Sequence, residues 1–246
     1  MKAVIVGGTK GMGRALARIL SERGDQLFLL GRDEEELKKS AADLGARGGS
    51  TTPGHGVVDL EAPEGFDKAL DEADNALTGG FDLFVVTAAL FGQQERLESD
   101  EAFLHRLLTV NFANTVLLAE KARKRMLSRG GGTLCLFSSV AGDRGRKPVV
   151  LYGSTKAGIS AYCEGLDHKY RAQGLRTVCV KPGFVKTGMT EGLKPPPFAG
   201  EPDQVARRVA KAIDAGKPVV YAPPMWWLVM TVIRSLPRFV MRKLSF

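Results

Sequence analysis

Tyr152 and Lys156 stand one helical turn apart in Leu151-Tyr152-Gly153-Ser154-Thr155-Lys156, with Ser139 upstream in Ser138-Ser139-Val140-Ala141-Gly142. On a helix that spacing puts the phenol and the ammonium on one face. A neighbouring cation favours the phenolate and so lowers a tyrosine pKa from its usual ~10. A tyrosine tuned in this way can give a proton to a carbonyl oxygen or take one from an alcohol. Ser139 can hold the same oxygen. This is half of a hydride transfer, and the other half requires a nucleotide site.

The N-terminus offers one. Ala3-Val4-Ile5-Val6 is a short apolar run suited to a buried parallel strand. Gly7-Gly8-Thr9-Lys10-Gly11-Met12-Gly13 follows, and then a helical pattern from Arg14 to Leu20. Strand, glycine turn and helix are the context of a dinucleotide fingerprint, although glycines at 7, 11 and 13 are spaced more widely than G-x-G-x-x-G. Glycines admit a pyrophosphate close to the backbone, and the helix N-terminus offers free N–H groups. The second strand, Gln26–Leu30, ends at Gly31-Arg32-Asp33. At this place an acid reads a ribose 2′-OH and an arginine reads a 2′-phosphate. Gly31 carries no carboxylate, Arg32 follows it, and Lys10 adds a second cation, so NADP(H) is expected over NAD(H). The bland alternative leaves both cations solvated and makes Asp33 the cap of a helix starting at Glu34.

Further strands are expected at Val57-Val58, Phe81–Val86, Thr133–Phe137, Thr177–Val180 and Val219–Tyr221. Long helices are expected from about Asp100 to Ser128 and from Val150 to Ala172. Their alternation implies an α/β fold, a Rossmann-type doubly wound parallel sheet with helices on both faces. Ligands in such sheets sit beyond the strand C-termini. Gly7, Arg32, Asp59, Ser139 and Pro182 all fall at such ends.

Taken together these residues resemble the short-chain dehydrogenase/reductase family over nearly the whole chain. The resemblance implies that Gly7, Gly11 and Gly13 are cofactor glycines, with Thr9, Lys10 and Met12 beside them. It implies that Asp59 meets the adenine edge and that Asn111, in Val110-Asn111-Phe112, completes a tetrad with Ser139, Tyr152 and Lys156 by holding a water against the lysine. Lys156 would also bind the nicotinamide ribose. Pro182, Gly183, Val185 and Thr187 would cradle the nicotinamide. Two departures stand out. Val86-Thr87-Ala88-Ala89 replaces the family's Asn-Asn-Ala-Gly, leaving Ala88 as a small pocket residue, and Val6 replaces a common Thr. The family usually forms dimers or tetramers through its long helices, which implies a homodimer or homotetramer here.

The chain is expected to hold a catalytic domain over residues 1–224, with a substrate lid over 188–200, and a tail over 225–246. Met225-Trp226-Trp227-Leu228-Val229-Met230-Thr231-Val232-Ile233 is apolar all round but far shorter than the ~20 residues of a membrane span. Arg234, Arg238 and Arg242 then recur every fourth residue. Such a helix lies in a membrane interface, or docks on its own domain or on a second subunit. The segments Tyr152–Gly158, Lys181–Gly183, Tyr221–Pro223, Arg234–Arg238 and Arg242–Leu244 resemble a subgroup that includes the reductase of decaprenylphosphoryl-ribose 2-epimerisation. That resemblance implies a lipid-linked or amphiphilic keto substrate; in other members of the family the substrate is a 3-ketoacyl or steroid ketone.

Composition narrows the field. The length of 246 residues and hydrophobic content of 44% suit one α/β domain. Three cysteines in apolar runs, Cys135, Cys163 and Cys179, read as core residues of a reduced, cytoplasmic protein, at the inner face of the membrane if the tail meets lipid. The first strand begins almost at Met1, which leaves no room for a signal peptide. His55, His105 and His168 lack metal-ligand spacing, so no metal is expected. The net charge of +8 raises nucleic acid as a partner. The run Lys121–Arg125, however, sits at a helix C-terminus, where cations are favoured anyway, and no interleaved aromatics accompany it. A cofactor-binding scaffold subunit is the rival function; it would not need Asn111, Ser139, Tyr152 and Lys156 together.

Overall fold

The computed structural model describes residues 1–47 and 51–245. Among these, seven strands form one parallel sheet in the order β3-β2-β1-β4-β5-β6-β7. They are β1 Lys2–Val6, β2 Gln26–Gly31, β3 Gly54–Val57, β4 Leu83–Val86, β5 Gly132–Phe137, β6 Leu175–Pro182 and β7 Val219–Ala222. Chain order reverses between β1 and β4, the place where such sheets open a crevice.

Successive strand residues face opposite sides, so the apolar runs feed two cores. Ile5, Leu29, Val85 and Val180 meet helices α1 (Gly11–Glu22), α2 (Glu34–Ala46) and α8 (Pro202–Asp214) through Leu16, Leu37 and Val209. Val4, Phe28, Phe84 and Leu134 meet α3 (Phe66–Ala76), α6 (Asn114–Leu127) and α7 (Val150–Tyr170) through Phe66, Leu118 and Ile159. All three cysteines are buried and free, and burial pushes the Cys135 thiol up. The basic run on α6 is matched by acids: Lys121 pairs with Asp67, Arg125 with Asp71 and Asp74, and Arg123 with Glu120.

Several elements differ from the sequence expectation. The pattern from Asp100 to Ser128 is not one helix. After the short α4 (Gln94–Ser99), α5 (Glu101–Leu108) gives way to a π turn over Thr109–Ala113 before α6 begins. Asn111 sits in that turn, and such widened turns favour functional sites. Helix α8 was signalled by Pro202 at its first position and by the spacing of Val205, Val209 and Ile213, but it was not anticipated. The tail breaks in two, α9 (Met225–Ser235) and α10 (Arg238–Met241). Pro237 explains the break, because the residue before a proline is driven to extended backbone and Leu236 has ψ 132°.

Candidate functional site

The glycine turn is shaped by contacts that no side chain could share. Gly7 has φ +87°, and a Cβ there would lie 2.7 Å from Thr87 Oγ1 and 2.8 Å from the Ala88 amide. A Cβ on Gly13 would collide with the Gly7 carbonyl and with Thr87. The N-terminus of α1 has no capping side chain, so its first N–H groups are free to meet an anion. Gly13→Ala is expected to destabilise the fold by about 1–3 kcal/mol, as overpacking does, and to weaken nucleotide binding. Thermal denaturation and a cofactor titration check this; unchanged values of both would contradict it.

A cleft of about 420 Å³ opens above this turn. Gly7, Thr9, Lys10, Gly11, Met12 and Gly13 line one end of it. Arg32, Asp59, Ala88 and Thr187 line the rest, from the ends of other strands. Arg32 is exposed and forms no ion pair among the described residues, whereas Lys10 lies 3.6 Å from Glu36. Asp33 caps α2 by accepting from the Glu36 amide at 3.1 Å. Asp59 accepts from the Glu61 amide at 2.9 Å.

The proton-handling corner lies beyond β5. Ser139 caps a short turn, its Oγ accepting from the Ala141 amide at 3.0 Å, and it stands beside the Tyr152 phenol, close enough to draw its pKa down. The same Oγ lies 3.5 Å from the Pro182 carbonyl at the end of β6. Ser138 Oγ donates to the Lys156 carbonyl at 2.7 Å, which ties the α7 backbone to the end of β5. Lys156 is buried; its Nζ donates to the Phe137 carbonyl at 2.9 Å and lies 5.8 Å from the centre of the Tyr152 ring. A titratable phenol, a serine and a buried ammonium therefore meet at the edge that carries the glycine cleft.

The short chain dehydrogenase family model matches residues 1–197. The chain belongs to that family.

It is similar to an uncharacterized oxidoreductase of Mycobacterium tuberculosis, 34% identical over 243 residues that make up 98% of this chain and 96% of that one. A carbonyl reductase family member 4 of Xenopus tropicalis is 26% identical across 83% of this chain and 87% of its own. Among solved structures, an actinorhodin polyketide ketoreductase crystallised with NADPH shares the fold at a TM-score of 0.80 and 21% identity, over 89% of this chain and 94% of that one. This chain is thus an oxidoreductase of a family that uses a nicotinamide cofactor. The uncapped helix N-terminus and the glycines at 7, 11 and 13 of the turn fit the pyrophosphate of such a cofactor. Gly7 to Gly13 would hold it there.

The electrostatics of this short-chain dehydrogenase differ from the expected pairing. Burial pushes the Tyr152 phenol up to about 12, with the neighbouring Ser139 hydroxyl acting the other way. Burial also pushes the Lys156 ammonium down to about 8. Desolvation dominates both shifts, and Nζ turns to the Phe137 carbonyl instead of the phenol.

Asn111 is almost wholly buried and clasps the Leu90 backbone, its Oδ1 accepting from the Leu90 amide at 2.7 Å and its Nδ2 donating to the Leu90 carbonyl at 2.8 Å. It therefore positions a wall of the cleft, since Leu90 lines it. The Val185 side chain is buried in the core, and Gly183 lies beneath the Trp226 indole. Neither residue lines the cleft wall.

Sequence reasoning missed three residues here. Thr87 Oγ1 lies 3.1 Å and 3.0 Å from the Val6 and Gly7 carbonyls, bracing the glycine turn where the family's asparagines are lost. Phe91 meets the Tyr152 ring edge-on at 5.1 Å. Gln94 Oε1 accepts from the Leu151 amide at 3.1 Å and anchors the start of α7. Only a polar residue facing a strand end hinted at Thr87, and nothing local in the sequence signalled the other two.

Proposed function

We propose that this chain is an NADPH-dependent reductase that converts a ketone to an alcohol, on a lipid-linked or otherwise amphiphilic keto substrate such as a polyprenyl-phosphate 2-keto sugar. The observation that carries the reading is the meeting of Ser139, Tyr152 and the buried Lys156 beyond β5, on the same edge of the sheet as the glycine cleft although outside its lining. Tyr152 is protonated through the neutral range, so it can enter the reaction as an acid. A nicotinamide cofactor held by the Gly7–Gly13 turn would supply the hydride. Tyr152 gives its proton to the developing alkoxide, and Ser139 hydrogen-bonds the same oxygen as charge forms. Lys156 holds positive charge behind the phenol and is placed to take the ribose hydroxyls. Asn111 keeps Leu90 in place and is the proposed anchor of a proton-relay water.

The free guanidinium of Arg32 at the end of β2 supports a 2′-phosphate, and Lys10 adds charge that Glu36 partly offsets. Arg32→Gln with Lys10→Gln is expected to lower kcat/KM for NADPH by about tenfold or more, the worth of one charge-assisted contact, and to spare NADH. Parallel steady-state assays with both cofactors test this; a wild-type enzyme that prefers NADH would overturn it. Leu108, Phe112 and Leu117 are exposed apolar residues on α5, the π turn and α6, and they support a homodimer or homotetramer formed through these helices and α7. A cytoplasmic site of action, at the inner face of a membrane, fits the three free buried thiols and an amphiphilic substrate.

The decisive assay follows NADPH oxidation against short-chain, 3-ketoacyl, steroid and lipid-linked keto sugar substrates. Turnover of none of them by wild-type protein would overturn the reductase reading.

A further inference from the structure

The tail helix α9 is apolar on two opposite sides. Trp226, Val229, Met230 and Ile233 recur at helical spacing and pack against Val140 and Tyr221, with Met230 fully buried. Trp226 Nε1 donates to the Phe198 carbonyl at 3.3 Å, and Arg144 donates to the Leu236 carbonyl at 2.9 Å. This stripe accounts for docking on the domain. It does not account for Trp227, Leu228 and Val232, which are 59%, 53% and 57% exposed, or for Phe239 on α10 at 65%. The outer face of a surface helix is ordinarily polar.

The charge around this face is of one sign. No Asp or Glu follows Asp214, while Arg234, Arg238, Arg242 and Lys243 do. All four are exposed, and none forms an ion pair among the described residues. Exposed aromatics and aliphatics ringed by unpaired cations, on a helix too short to span, match an interface between water and anionic lipid. A second copy of this chain would bring the same cations against themselves.

The docked stripe leads to the reaction centre. Val140 follows Ser139, and Trp226 covers Gly183 so closely that no side chain could stand there. Phe198, itself 55% exposed, belongs to the segment that leads from Thr187 on the cleft wall. Only the thickness of one helix, about 10 Å, therefore separates the lipid-facing side chains from the loops around Ser139.

We infer that the outer face of α9 and α10 seats the enzyme on an anionic lipid surface, with the entrance to the Ser139–Tyr152 centre held at that surface. This deepens the substrate class proposed above, and it is tested without relying on turnover. Full-length protein is sedimented with vesicles of phosphatidylcholine alone or mixed with phosphatidylglycerol. Wild type is expected to pellet with the mixed vesicles and to be released by high salt. The triple variant Trp227→Ser, Leu228→Ser, Val232→Ser is expected to bind about tenfold or more weakly, as the loss of three apolar anchors implies. Its melting temperature and NADPH affinity should match wild type, because the three side chains contact solvent. Failure of wild type to pellet, equal pelleting with neutral vesicles, or equal pelleting of the variant would each overturn the inference. So would a variant that falls apart from dimer to monomer in sedimentation velocity, which would assign the face to a second copy. A failed ketone panel alongside anionic-vesicle binding would overturn the reductase reading and leave the surface standing.

Discussion

Tyr152→Phe is expected to cut turnover by about a thousandfold or more, the upper range of general acid catalysis, while cofactor affinity stays within about twofold of wild type. The change removes one oxygen. The edge-on contact with Phe91 survives it, and so does the packing of α7, because Ser138 and Gln94 hold that helix through its backbone. Ser139 keeps its bond from the Ala141 amide, so the oxygen-binding serine remains in place. The stability cost is at most that of one hydrogen bond, about 1 kcal/mol. What disappears is the proton. The developing alkoxide then has a hydrogen bond from Ser139 and no acid. Stopped-flow NADPH oxidation separates the two effects: cofactor binding seen by fluorescence transfer should persist and the hydride step should vanish. If hydride transfer persists at near wild-type rate, Tyr152 is not the acid.

The sequence makes the chemistry more legible than the surroundings that tune it. Tyr152, Lys156 and Ser139 are readable because their positions are set locally, by one helical turn and by the end of one strand. The same holds for Gly7 to Gly13, where the turn demands glycine, and for Asp33, whose cap is a local signal. The sheet follows from the apolar runs alone, since strands buried on both faces need nothing subtler. Other features depend on how distant segments meet. The lowering of the Tyr152 pKa expected from a lysine four residues away fails because Lys156 Nζ turns to the Phe137 carbonyl of β5 and both groups are desolvated. Asn111 is visible as a matching residue, but its bonds to Leu90 arise from a π turn inside an otherwise unbroken helical pattern. Phe91 lies two residues beyond the stretch that replaces the family's usual motif, and it meets Tyr152 only because α7 is packed against that loop. In the tail the apolar run is plain, yet its division into a docked stripe and an outer face depends on the place where Val140 and Tyr221 come to the surface. Local rules thus find the reactive groups, and long-range packing sets their pKa values and their access.

Lys156→Met is expected to raise stability while removing activity. A lysine ordinarily titrates at 10.5, and burial pushes this one down to about 8. The sign follows from proton uptake. Below about pH 8 both folded and unfolded chains carry the charge, and the folded state bears the full cost of burying it. Between about 8 and 10.5 the unfolded chain binds more protons than the folded one, so stability rises with pH, and above 10.5 the penalty is gone. The shift corresponds to about 3 kcal/mol at neutral pH. Methionine has similar volume and no charge, and it leaves the Phe137 carbonyl without its donor, a cost of about 1–3 kcal/mol. The net gain of up to about 2 kcal/mol should raise the melting temperature of cofactor-free protein by a few degrees. The variant should also lack the rise in stability that wild type shows between pH 8 and 10.5. Ketone reduction should fall by about a hundredfold or more, because the positive charge behind the phenol is gone. Wild-type reduction should itself decline as pH passes about 8 and Lys156 loses its proton. A variant that is less stable than wild type, or one with the same stability profile against pH, would show that the buried ammonium carries no such cost. Reactive sites hold groups that folding alone would not select. The ammonium at 156 costs stability in every turn of pH where it works, which is the outcome expected if it is retained for its charge on the phenol and the cofactor ribose.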